Sequence, residues 1–471
     1  MTARNHTRPA AHRRARRWGA VALAIAGLTS ATALTTNHTV SAVPPTAKSE
    51  GLLCTPPTGA TPGQANYVLT AKEGIINLPD GNSMLMWGYA NGNGAFQYPG
   101  PVMCVNEGDV VTVTLRNQLA VRTSALFLGI DGVTANGAPA QAQFDQTATT
   151  ATLRSLTDDV APGGSITYKF TAGHPGTYLY ESGTDPELQI EMGLVGSLIV
   201  YPTTPADTSD LLGESVGHAR LAYDDPNSRY STEHEYMVLL TELDPDVHYA
   251  VEEGGVLQSA DYTEAYTPRY FLINGRSFPD TIAPNGAGWL PAQPYGALAH
   301  VEPLQISATP TESDNPLPAL IRYLAVGGEP YPFHPHSNHE KVIAKDGRLL
   351  SDGGVDLSME KFAITVDPGS TIDALFTWTN VEDYSATANP TPVPGPDQKN
   401  LTEGEYWSGS PYLGGQGVLN PEVQAKNVCG EYYHVAHNHN LAEATNYGAA
   451  FGGQLTLIRV DPANTTNCGN A

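Results

Sequence analysis

Basic side chains are scarce in this sequence: 24 Lys+Arg stand against 48 Asp+Glu over 471 residues. Six of the 24, Arg4, Arg8, Arg13, Arg14, Arg16 and Arg17, fall in the first seventeen residues, where no acid occurs. Without residues 1–42 the balance is 18 against 48, a formal charge of −30. A chain this acidic repels phosphate backbones and anionic lipid, so nucleic acid and membrane are excluded as partners and cations are attracted. Cysteine is sparse as well, with only Cys54, Cys104, Cys429 and Cys468. None of them sits inside a histidine motif, which argues against a thiolate metal ligand. An even number suits two disulfides in an oxidising compartment. Cys54 with Cys104 and Cys429 with Cys468 is the simplest of three pairings, all still open. Long apolar runs are missing except from Gly19 to Leu34, behind the arginines and ahead of Val40-Ser41-Ala42. That run is too short to span a bilayer and reads as a secretory signal over residues 1–42, so a secreted protein is expected. The Arg16-Arg17 pair permits a twin-arginine route. No long heptad or amphipathic helix is evident.

What is present is glycine (47), proline (37) and short apolar or alternating runs. Examples are 110–115 (Val-Val-Thr-Val-Thr-Leu), 165–170, 196–200, 236–240, 270–275, 362–366 and 454–459. Strands of this length with turn residues between them form a sandwich or barrel. A polar, breaker-rich stretch from about Pro202 to His234 reads as a linker between two halves. The halves loosely repeat: Pro162-Gly163-Gly164-Ser165 before a strand is echoed by Pro368-Gly369-Ser370-Thr371, and Gly176-Thr177-Tyr178-Leu179-Tyr180 by Gly430-Glu431-Tyr432-Tyr433-His434.

Chemistry concentrates in two windows, Tyr331-Pro332-Phe333-His334-Pro335-His336-Ser337-Asn338-His339 and His434-Val435-Ala436-His437-Asn438-His439, which hold six of fourteen histidines. Residues two apart on a strand share a face, so His334 with His336, and His437 with His439, each present paired imidazoles. One His-x-His is as well explained by ordinary strand histidines. Two pairs in similar settings point to a metal, because neutral imidazole is the commonest metal-ligating side chain. The isolated His174, His218, His234, His248 and His300 read as structural.

These residues resemble the multicopper oxidase family, built from cupredoxin domains. Tyr98-Pro99-Gly100-Pro101, Glu107-Gly108-Asp109-Val110-Val111, Ala161-Pro162-Gly163, Pro175-Gly176-Thr177-Tyr178-Leu179-Tyr180 and Gly193-Leu194-Val195-Gly196-Ser197-Leu198 are similar to its N-terminal domain. Phe271-Leu272-Ile273-Asn274-Gly275-Arg276, Phe333-His334-Pro335-His336 and His437-Asn438-His439 are similar to its C-terminal domain. The resemblance implies an all-β chain of two cupredoxin-like Greek-key β-sandwich domains. Residues 51–203 and 235–460 would be the domains, 204–234 the linker and 461–471 a tail.

The resemblance also implies what is missing. Family members that reduce oxygen use four His-x-His pairs, and only the last two are recognisable. Leu126-Phe127-Leu128 and Glu181-Ser182-Gly183 stand where the first two belong, so Glu181 is a candidate carboxylate ligand. The blue-copper positions carry Tyr331, Glu443 and Asn438, the last in place of the cysteine, and no amide reproduces a copper–thiolate bond. A three-copper cluster and a blue centre are therefore not expected. There remains a single ion, copper or alternatively zinc, on His334, His336, His437 and His439, with His339 or His434 beside it. Such a chain is either a copper-dependent oxidoreductase acting with a small-molecule reductant, or a secreted metal-binding or scaffold protein without turnover. A third reading is a relic of the fold without metal. A homo-oligomer is compatible with each.

Overall fold

A computed structural model describes residues 49–59, 61–146, 149–203, 219–255, 257, 265–305, 317–336, 338–380, 432–449 and 452–460. The expected signal, the tail and the Cys429–Cys468 pair lie outside these residues, as does His218. Within them, Val110–Asn117 and Ser165–Thr171 alternate as half-buried strands should: Val111, Val113 and Leu115 point in, as do Ile166, Tyr168 and Phe170. They are central in a six-stranded sheet ordered Ser83–Asn91, Gln64–Asn77, Val110–Asn117, Ser165–Thr171, Thr134–Ala135, Ala138–Pro139. A four-stranded sheet, Met103–Asn106, Val195–Tyr201, Gly176–Glu181, Leu126–Phe127, closes over its apolar face.

The second half repeats the plan. A seven-stranded sheet contains Tyr270–Ile273, Glu235–Leu243, Ala319–Ala325, Thr371–Phe376 and Glu340–Lys345 in that order. It shares a core with a five-stranded sheet ordered Ala299–Val301, Leu455–Val460, Tyr432–Asn438, Tyr331–Pro335, Ile364–Val366. The strands Val195–Tyr201, Glu235–Leu243 and Ala319–Ala325 are buried along their whole length. Their continuous apolar runs follow from that, because their outer faces meet in a further core of Leu179, Val195, Ile199, Met237, Leu239 and Leu324. Each such fully buried Leu, Ile or Val contributes about 1.5–3 kcal/mol. The two sheet pairs are thus welded across a third apolar layer, and all described residues fall in one compact unit, Pro44–Ala471.

Part of the expected linker is packed structure. Ala219–Leu221 pairs with Arg229–Ser231, and Ala222, Tyr223 and Tyr230 are buried. The two tyrosines were drawn in by partners that a local reading does not see. Tyr223 donates to Asp373 Oδ2 (2.5 Å) and Tyr230 to Glu235 Oε2 (3.0 Å). Between those carboxylates lies Arg322, 0% exposed, donating to Glu235 Oε1 (2.8 Å) and to Thr177 Oγ1 of the first sheet pair (2.9 Å), with Asp373 Oδ2 at 3.4 Å.

A second polar cluster crosses the same junction. The Tyr266 hydroxyl lies 2.8 Å from Glu191 Oε2, on the short helix Pro186–Glu191, and 3.2 Å from Glu242 Oε1. The Gly328 amide donates to Glu242 and the Asp244 amide to Glu191, whose Oε1 is 3.4 Å from His248 Nε2. A phenol has one hydrogen, so its second carboxylate contact needs a carboxyl hydrogen. Burial supplies the reason: it pushes Glu242 up to about 8.

A strap precedes the first sheet. Leu52 N–H donates to Glu235 O (2.6 Å) and Asn285 N–H to Ser49 O (2.7 Å), both in the second half. Thr55 N–H donates to Val102 O (2.7 Å), and a disulfide joins Cys54 to Cys104, tying the end of the strap to the first half. Among the described residues no helix is long and apolar enough to cross a membrane.

Candidate metal centre

Tyr331–Pro335 and Tyr432–Asn438 are neighbouring antiparallel strands, with His334 directly opposite His437. Tyr331, Phe333 and Pro335 point into the core, which turns His334 outward. Opposed residues share a face, and residues two further along share it again, so His336 and His439 join the same side. The ring centroids follow: His334 to His336 4.8 Å, His336 to His437 5.0 Å, His334 to His439 5.3 Å, His437 to His439 5.6 Å and His334 to His437 5.8 Å. Two imidazoles on one ion with metal–nitrogen bonds near 2.0–2.1 Å keep their centroids roughly 4–6 Å apart.

His336 Nε2 and His437 Nε2 are 3.0 Å apart. That separation is close to the ~2.9 Å of two nitrogens at right angles on one ion, and shorter than the ~3.4 Å of a tetrahedral pair. His437 Nδ1 faces the Asn438 carbonyl at 2.7 Å, and His334 Nδ1 faces the Phe362 carbonyl. A carbonyl only accepts, so in both rings Nδ1 carries the hydrogen and Nε2 keeps its lone pair. Burial pushes His437 down to about 4 and lowers His336 as well, which keeps both imidazoles neutral at pH 7. His437 is 3% exposed while His439 is on the surface. Among the described residues no three His, Cys, Asp or Glu side chains are gathered tightly enough to hold a metal ion as they stand. An ion held by all four rings would need them drawn closer together than they stand.

The neighbouring histidines differ. His434 is pushed down to about 4 by burial and by the nearby His336, and its ring lies 5.8 Å from Trp378. His339 is exposed, 6.1 Å from the ring of Phe362. His234 and His300 pack edge to face at 4.9 Å, and the buried His248 faces the Leu85 carbonyl through Nδ1 at 2.6 Å; both fit structural roles.

The other positions singled out in the sequence do not join the rings. Glu181 ends a strand of the first sheet pair, opposite Leu126 and Val195, and burial pushes it up to about 7. The register therefore sets Glu181 beside Leu126, and a Cβ at Gly183 would meet the Leu126 Cβ at 3.4 Å, with no imidazole at either place. Asn438 Nδ2 donates to Glu443 Oε2 (2.5 Å) and to Gln454 Oε1 (2.8 Å), and Asn440 Nδ2 donates to Glu443 Oε1. The Tyr331 hydroxyl turns away to the Val326 carbonyl (3.2 Å). An amide, a carboxylate and a phenol spent on these bonds do not fit a blue-copper ion. Gln454 was missed in the sequence, where it precedes an apolar strand and carries no motif.

Residues 72–205 match the family model described as multicopper oxidase. L-ascorbate oxidase of Cucurbita maxima is 35% identical over 130 residues, 28% of this chain and 20% of that protein. Iron transport multicopper oxidase fetC of Epichloe festucae is 34% identical over 125 residues, 24% of this chain and 18% of that one. The chain thus spans about a fifth of the length of these curated relatives. A solved multicopper oxidase, mgLAC, superposes with a TM-score of 0.50 at 19% identity, covering 86% of this chain and 90% of that one, a likeness of cupredoxin-like β-sandwich fold. The likeness to multicopper oxidases thus lies in the sequence of residues 72–205 and, over most of the chain, in the cupredoxin-like fold.

Proposed function

We propose that this chain is a secreted, multicopper-oxidase-like oxidoreductase that works with one copper ion on His334, His336, His437 and His439 and without a blue-copper relay. The observation that carries the proposal is the 3.0 Å approach of two Nε2 atoms whose rings stay neutral. Since His437 Nε2 is an acceptor, the hydrogen between the rings belongs to His336, and that hydrogen marks the position a cation takes. The likeness of residues 72–205 to multicopper oxidases supports copper over zinc, as does the near-right-angle spacing. When bound, copper would supply one-electron chemistry toward oxygen, peroxide or an organic reductant. The chain's own part is to hold two tautomers through the Asn438 and Phe362 carbonyls, to bury His437, and to leave His439 facing solvent where a small reductant arrives. Secretion rests on the arginine-led apolar segment, and a homo-oligomer stays compatible with the site.

Leu126, Leu128, Glu181 and Gly183, in place of the first-half histidines, favour a second reading in which the protein binds metal without turnover. Metal analysis with electron paramagnetic resonance separates these readings from a fuller centre. About one copper per chain and no intense blue absorption is expected, and three or four coppers would overturn the proposal. Phenol oxidation that persists in His437→Ala would remove the cluster from catalysis.

A further inference from the structure

We infer that Glu443 is a positioning residue for His437, acting through Asn438, with the metal ion of the proposed site as the ligand it serves. The inference rests on that reading for its function, but its geometry is independent of any ion. Asn438 is fully buried between the two histidines, and every polar group it has is engaged. Its N–H donates to Gln454 O (2.9 Å), its Oδ1 accepts from the Asn440 N–H (2.8 Å), and its Nδ2 divides between Glu443 and Gln454. Its carbonyl takes the His437 Nδ1 hydrogen, which fixes that ring's tautomer. The orientation of one peptide group therefore decides whether His437 presents a lone pair or an N–H to His336.

Glu443 holds that peptide from the following helix, Leu441–Ala444. Its two oxygens accept from two side-chain amides, Asn438 and Asn440, and its backbone carbonyl accepts the Gln454 N–H (3.0 Å). Gln454 is anchored in turn to the Thr241 carbonyl (3.0 Å). A carboxylate suits this place because it is acceptor-only, and both neighbours point N–H groups at it. Replacing Glu443 by Gln keeps the shape but sets an NH₂ against one of two NH₂ donors, so Asn438 or Asn440 must turn. Partners that orient metal-bound histidines in this way typically change metal affinity 10–100-fold when lost.

The test uses the full chain labelled with ¹⁵N, read first without metal and then titrated with copper(II). In the wild type the His437 imidazole is expected to be Nδ1-protonated. In Glu443→Gln it should become a mixture of tautomers, and copper(II) binding should weaken by about 10–100-fold. Asn440→Ser removes one amide from Glu443 while keeping a residue able to cap the helix, and should move both readouts the same way by less. Should Glu443→Gln fail to fold, Asn440→Ser decides alone. An unchanged His437 tautomer in the folded variant overturns the inference. Copper(II) failing to bind the wild type overturns the proposed function instead, and the tautomer still judges Glu443.

Discussion

A carboxyl group that holds its proton to about pH 8 in the folded chain, but only to about 4.5 when unfolded, makes the folded state the better proton binder between those values. For Glu242 the sign is therefore that stability is greatest below pH 4.5, falls as pH rises to about 8, and is flat beyond. The slope is roughly 1.4 kcal/mol per pH unit within that window. Glu242→Gln, uncharged at every pH, should remove this slope. Urea midpoints of both proteins at pH 5, 6.5 and 8 check it; parallel curves would contradict the shared proton between Glu242 and Tyr266. None of this was legible in the sequence. Glu191, Glu242, His248 and Tyr266 are separated by up to 75 positions and share no motif, so only the folded chain brings them together. The histidines were legible for the opposite reason: strand alternation is local, and it fixes the face of each ring before any contact is known.

At the level of elements, the close approach of a turn to the start of a strand limits what the sheet pairs tolerate. Gly347 has φ +68°, and a Cβ there would lie 2.5 Å from the Tyr178 ring. Gly176 would set its own Cβ 2.8 Å from the Gly347 Cα. Gly347→Ala should cost about 1–3 kcal/mol, from both the left-handed backbone and the overlap, measured as a shift of the denaturation midpoint. A neutral outcome would mean the turn and the strand end separate easily. The strands themselves were visible as alternating or continuous apolar runs. The hairpin 219–231 was not, because its polar and breaker-rich sequence is held by Asp373 and Glu235 rather than by its own pattern. The amide network around Asn438 was half visible: resemblance pointed to Asn438 and Glu443, while Gln454 reached the site only through the register of the last strand.

For the molecule as a whole, Arg322 compensates two buried carboxylates and touches both sheet pairs. Arg322→Met leaves Glu235 and Asp373 buried without their cation, which should cost about 3–5 kcal/mol. With an apolar layer shared between the pairs, calorimetry of the wild type should give a single cooperative transition. Two resolved transitions would contradict the shared layer.

The strap at residues 49–55 carries a consequence for how the chain is made. Synthesis delivers residue 52 long before residue 235, so Leu52 waits for its Glu235 partner until 183 further residues have emerged. The amino-terminal half can draw its own strands together in the meantime, but its leading edge stays loose until the later half arrives to seat it.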